Sequence, residues 1–164
     1  MRKFWMLWTL LLALPCMGDV SETESLKGLD EIQLVVEELP REAQPLKLTK
    51  GLLELDATRQ LRDNKITLLS VSERLEHPQR PYLYINCNLL YIEKLNLTSF
   101  SIDVEVHQRV TLETGEKAQG LTWAKSYLGM TSGDIVAERV REIVRDFLGE
   151  YIEAVTVSED TLPG

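Results

Sequence analysis

Two cysteines and two histidines are all this chain has of the residue types that cross-link small domains or gather metals. Cys16 falls in the N-terminal apolar segment, which leaves Cys87 alone in the rest of the chain. One thiol closes no internal disulfide, so the domain has to be held by its core. Cys87 stands in an apolar strand and reads as a small buried hydrophobe rather than a reactive thiol. Basic charge is also short, with 18 Lys and Arg against 26 Asp and Glu and a net charge of −8. Nucleic acid and anionic membrane surfaces demand clustered Lys and Arg, so both are disfavoured as partners. No apolar run reaches the roughly 20 residues needed to span a bilayer. A nucleophile elbow, a P-loop, a dinucleotide fingerprint, Cys-x-x-Cys and His-Glu-x-x-His are all missing, and with them the common routes to a named chemistry. No internal repeat or low-complexity segment is present.

What is there begins with an export signal. Met1-Arg2-Lys3 is followed by an apolar run from Phe4 to Leu14 and then by Pro15-Cys16-Met17-Gly18. A short basic start, an apolar core and a small residue at the cut define a secretory signal, with cleavage expected after Gly18. The product is exported, periplasmic or secreted, and has no second segment apolar enough to cross a membrane. Lipid attachment at Cys16 is the alternative, but the rigid Pro15 before it fits a lipoprotein peptidase poorly. Removing Arg2 and Lys3 leaves 16 basic against 26 acidic residues, a net charge of −10. The organisation expected is a signal peptide over 1–18, a flexible acidic leader over 19–30, one α+β domain over 31–155 and a disordered tail over 156–164.

Within that domain the hydrophobic period switches between two and 3.6. Ile32 to Leu39 alternates as a strand. Thr49 offers an N-cap for a helix to about Asp63, with stripes Leu48–Leu52–Leu55 and Leu53–Ala57–Leu61, and Asn64 suits a left-handed helix end. Lys65 to Val71 reads as a strand and Ser72 to Arg80 as a polar loop. Pro81–Ile92 and Phe100–Glu113 alternate cleanly and read as an antiparallel hairpin. Leu121–Leu128 adds a third strand. Asp134 is expected to cap the last helix, whose stripe is Val136, Val140, Ile143, Phe147 and Tyr151. The order β-α-β-β-β-β-α predicts two helices on one face of a mostly antiparallel twisted sheet, the other face carrying polar residues.

The strands PYLYINCNLL and SFSIDVEVHQRVTL, the pair Thr122-Trp123 and the final helix with Asp146-Phe147 and Tyr151-Ile152 together resemble a family of small exported bacterial proteins of no known activity. The resemblance covers most of the chain after the signal. It departs at Tyr151-Ile152-Glu153-Ala154-Val155, where members tend to show Tyr-Leu-x-x-Asn. It implies export and an α+β fold, and no activity. The element order is also similar to small βαβ-type modules of bacterial envelope-assembly proteins, a likeness of fold alone.

Two groups of residues are candidate sites. Tyr82, Tyr84, Asn86 and Asn88 share one strand face, with Trp123 alongside; rings mixed with amides suit a peptide, a glycan or a partner protein. Against this stands ordinary cross-strand packing. Asp103, Glu105, His107 and Arg109 line one face of the next strand, about 6.5–7 Å apart. Glu105-x-His107 fits a shared metal or a base with its orienting carboxylate, and equally a solvated, self-compensating row of charges. His77 in a Glu-His-Pro loop, the sequon Asn96-Leu97-Thr98 and the cluster Thr131–Asp134 carry less. The function expected is a non-enzymatic binding or envelope-associated protein, its partner another envelope protein or a peptide, with no cofactor. The alternatives are a small apolar-ligand or lipid carrier with its cargo between sheet and helices, and a hydrolase using Glu105 and His107.

Overall fold

The computed structural model of the chain describes residues 23–156. The expected signal peptide, residues 19–22 of the leader and residues 157–164 of the tail lie outside the described residues. Five strands form one mixed sheet: β1 (Glu31–Val36), β2 (Thr67–Leu68), β3 (Tyr82–Ile92), β4 (Leu97–Thr111) and β5 (Lys117–Ser132). Their spatial order is β2-β1-β3-β4-β5. β1 runs parallel to both β2 and β3, and β3, β4 and β5 form an antiparallel meander. Three helices complete the fold: α1 (Lys50–Asp63), α2 (Val71–Glu76) and α3 (Val136–Thr156). The α+β class and the element order agree with the sequence reading, and α2 is the addition.

The core sits between α1, α3 and one sheet face. Leu83, Ile85 and Cys87 of β3 and Ile102, Val104 and Val106 of β4 meet Leu53, Ala57 and Leu61 of α1 and Val140, Val144, Leu148 and Tyr151 of α3, all buried. This is the burial expected where alternate strand residues face a layer of helices. α1 begins where Thr49 Oγ1 accepts the Leu52 N–H at 3.2 Å. Of its two predicted stripes Leu53–Ala57–Leu61 is buried throughout; of the other, Leu48 is buried ahead of the helix, Leu52 is half-buried and Leu55 is exposed. At its end Asn64 keeps a negative φ, and it is Lys65 that turns left-handed, at φ 65°.

Four further expectations change. Residues 23–30 are packed, not loose: Leu26 and Leu29 are fully buried. Gln108 Nε2 donates to the Ser25 carbonyl (2.9 Å), Ser25 Oγ to the Thr122 carbonyl (2.9 Å) and the Tyr151 hydroxyl to the Leu29 carbonyl (2.7 Å). Two leucines in a polar stretch are enough to anchor it once α3 and the sheet supply a surface. The predicted strand Lys65–Val71 shortens to Thr67–Leu68, because Ser70 within it caps α2, which starts at Val71 and runs into the predicted loop. Ser70 Oγ accepts the Glu73 N–H while Glu73 Oε2 accepts the Ser70 N–H, a reciprocal capping box. β5 extends well beyond Leu121–Leu128 at both ends. Finally, Asp134 does not start α3: the first helical bond runs from the Arg139 N–H to the Ile135 carbonyl. The Asp134 carboxylate instead accepts Asn96 Nδ2 at 2.8 Å. Asn96 is left-handed at φ 45°, and Gly133 lets its side chain approach, since a Cβ there would meet Asn96 Oδ1 at 2.6 Å.

Candidate functional site: the open face of the sheet

Among the described residues, the face opposite α1 and α3 has no helical layer except at one end. There α2 lies over β1 and β3. The register places Gln33 and Val35 of β1, Tyr82, Tyr84, Asn86 and Asn88 of β3, and His107, Glu105, Asp103 and Ser101 of β4 in neighbouring rows. The two candidate groups are therefore one surface, with Tyr82 opposite His107, Tyr84 opposite Glu105 and Asn86 opposite Asp103.

Its α2 end is a layered stack. The rings of Tyr82 and His107 lie parallel with centroids 4.6 Å apart, and the Arg74 guanidinium sits 5.5 Å from the Tyr82 centroid. His107 Nε2 lies 2.8 Å from Glu105 Oε2. The Tyr84 hydroxyl donates to Glu37 Oε2 at 2.8 Å, and this bond holds its phenol up at about 12. Asp103 Oδ1 accepts from Ser126 Oγ at 2.7 Å. Below the loop, His77 Nε2 comes within 3.7 Å of Glu31. Of the predicted charge row only Glu105 and His107 pair with each other; Arg109 is tied in by its backbone N–H, which donates to the Gln79 carbonyl.

The far end of the same face is apolar. Leu90 of β3, Ser99 of β4 and Met130 of β5 share one row; Asn88, Ser101 and Leu128 share the next. Leu128 is 79% exposed, Met130 64% and Leu90 61%. Exposed Ile92 continues the same face of β3. Three large apolar side chains are thus held far into solvent on one face, Leu128 and Met130 two apart on β5 and Leu90 across the small Ser99 of β4, an exposure of the kind that marks contact surfaces.

Trp123 does not join this surface. It is buried on the helix side of β5, tilted against Tyr151 at 6.2 Å. The cause is a bulge: β5 holds one extra residue opposite the Val106/His107 step, which resets its alternation. The residues missed in the sequence were Arg74, Glu37, Leu90, Leu128 and Met130. The Ser70-x-x-Glu73 pattern was the available signal for α2 and so for Arg74. Gly129 masked the end of β5. It is a strand residue whose missing Cβ makes room for the Tyr127 ring, which would lie 2.5 Å from it.

Among the described residues no three His, Cys, Asp or Glu side chains converge as metal ligands. Cys87 is buried, and desolvation pushes its thiol up to about 12. A separate cleft of about 360 Å³ lies between α1 and α3, lined by Asp56, Arg59, Gln60, Arg141 and Arg145 over Leu53 and Val144. One of its arginines is already paired, Arg141 Nε lying 2.6 Å from Asp56. No helix among the described residues is long and apolar enough to cross a membrane. Comparison of the sequence with known protein families and with curated proteins finds no match.

Proposed function

We propose that this chain is an exported, non-enzymatic binding protein of the periplasm or envelope, which engages a partner through the open face of its sheet. The observation that carries the reading is one open sheet face with exposed Leu90, Leu128 and Met130 at one end and the Arg74–Tyr82–His107 stack at the other. Exposed aliphatic side chains together with aromatic and Arg residues are the composition of protein contact surfaces. The signal-like N-terminus and the resemblance to small exported proteins support the location. The filled space between sheet and helices weighs for surface binding over carriage of an apolar cargo.

Two measurements test it. Cell fractionation with N-terminal sequencing is expected to find the protein outside the cytoplasm beginning at Asp19; an untrimmed cytoplasmic chain overturns the export half. Capture from envelope extracts is expected to fail for Leu128→Asp and Tyr82→Ala and to persist for the α1 surface variant Arg59→Ala. Equal capture by all of them removes the open face from the reading. A second reading, acid–base chemistry, has the 2.8 Å Glu105–His107 contact in its favour. It predicts that Glu105→Gln abolishes a hydrolytic turnover that Leu128→Asp leaves intact.

A further inference from the structure

We propose that the outer edge of β5, over residues 124–132, takes up an extended strand from a partner whose side chains alternate between apolar and basic. This rests on the open sheet being the binding surface, and adds where the partner lies and what chemistry it carries. β5 is the longest strand, and it ends the sheet. The short turn Glu24–Leu26 reaches its edge at Thr122, where Ser25 Oγ donates to the carbonyl. Beyond that point no strand of the described residues pairs with it.

A long bare edge offers a row of unpaired backbone donors and acceptors, and folded proteins blunt such edges with proline or charge. Residues 124–132 contain no proline and one charge, Lys125, which is drawn onto Glu150 at 2.6 Å. The edge is therefore open to strand addition, where main-chain bonds supply affinity and alternate side chains supply selectivity.

The two sides of the edge differ, and the difference selects the partner. On the open face the incoming strand meets Leu128 and Met130, with neutral Ser126 and Ala124 in line. Apolar side chains on that side would pack on Leu128 and Met130. On the other side stands α3. Arg139 lies 5.8 Å from the Tyr127 centroid and Glu150 reaches Lys125, so the α3 flank above this edge is the one that carries residues 139, 142, 146, 150 and 153 at helical spacing. Arg139 is held by Glu142 and Lys125 by Glu150. Asp146 and Glu153, both exposed, have no cationic partner among the described residues. Lys or Arg at alternate positions of the added strand would run beneath this acidic flank. A second copy of the chain brings the same acidic flank to the seam and lacks that complement.

The test uses the signal-free chain and fluorescently labelled nine-residue peptides. A peptide alternating Leu and Lys is expected to bind, with amide shifts confined to residues 124–132 and their β4 neighbours. Alternating Leu and Glu, and a Leu/Lys peptide N-methylated at every second amide on its pairing edge, are expected not to bind. Asp146→Lys with Glu153→Lys is expected to weaken binding about tenfold, as is Met130→Glu, while Asp63→Lys on α1 leaves it unchanged. Equal binding of the N-methylated peptide, or equal loss with Asp63→Lys, reduces the effect to diffuse charge and overturns the proposal. So does a dimer by light scattering whose shifts map to β5 and which the peptide does not dissociate. If envelope capture depends on Leu128 while the Leu/Lys peptide fails to bind, the open-face reading stands and this one falls; if both fail, both fall.

Discussion

The two faces of the β3–β4 pair are made from alternate residues of the same two strands, yet one is a closed core and the other a surface at rest. Leu83, Ile85, Ile102 and Val104 are fully buried under α1 and α3. One residue along, Tyr84, Asn86, Asp103 and Glu105 face outward and make short polar contacts or none. The helix side is redundant in its contacts and tolerates little change. The open side has bonds that satisfy single side chains and leave an apolar end uncovered. Stability and recognition are therefore separated across the thickness of one sheet.

The largest effect that can break this contrast is at Tyr151. It is fully buried, and its hydroxyl ties the Leu29 carbonyl. Tyr151→Ala is expected to cost about 3–5 kcal/mol in urea unfolding, and Tyr151→Phe about 1–3 kcal/mol for the stranded carbonyl. Tyr151→Phe should also loosen residues 23–30, seen as faster amide exchange there. If Tyr151→Ala unfolds no more easily than a surface variant, the core assignment is wrong.

Next comes Tyr82→Ala on the open face. It removes a ring stacked on His107 and faced by Arg74, and is expected to cost about 1 kcal/mol. A cost as large as that of Tyr151→Ala would erase the distinction between the faces. Smaller still, Leu128→Asp and Met130→Ser are expected to shift stability by no more than about 0.5 kcal/mol, because both side chains are mostly in water already. Either variant destabilising by several kcal/mol would show that the patch is packed, not free.

The smallest effect sharpens the picture by pH. Glu37 holds the Tyr84 phenol protonated up to about 12, above the ordinary value near 10. A raised folded-state value means that the Tyr84–Glu37 contribution is fully present below about pH 10 and is lost as pH rises through about 12. In Glu37→Gln, ultraviolet titration should find one tyrosine returning toward the ordinary range. An unchanged titration would place Tyr84 away from Glu37.

Much of this was legible from period and composition. The alternation of Pro81–Ile92 and of Phe100 to Val106 assigned the faces correctly, because one buried face of a strand forces a period of two, while Leu112, expected on the apolar face, is exposed beyond the end of β4. α3 was readable from its stripe, although Phe147 is only partly buried. The misses have local causes. Glycine at position 129 ended β5 too soon on paper, since in a strand it serves a neighbouring ring. A one-residue bulge moved Trp123 to the core, and bulges leave no mark in a hydrophobic pattern. Ser70 and Glu73 spelled a capping box that the surrounding polar residues concealed. Of the candidate site, the Tyr/Asn row and the Glu105–His107 row were found separately; that they are adjacent depends on register, which alternation alone does not set.

By itself the sequence determined most of the residues that must leave water, the five strands and two long helices they make, and that Cys87, alone after the N-terminal apolar segment, leaves cohesion to the core. These are consequences of local period and of apolar transfer, and need no knowledge of neighbours. Only the tertiary structure decided that β5 ends the sheet among the described residues, that α2 stacks Arg74 on Tyr82, and that Leu90, Leu128 and Met130 stand exposed on one face. Each of those depends on strand order and register, where residues distant in the chain are brought within a few ångströms and the cost of a polar or apolar contact is set by what lies across the gap.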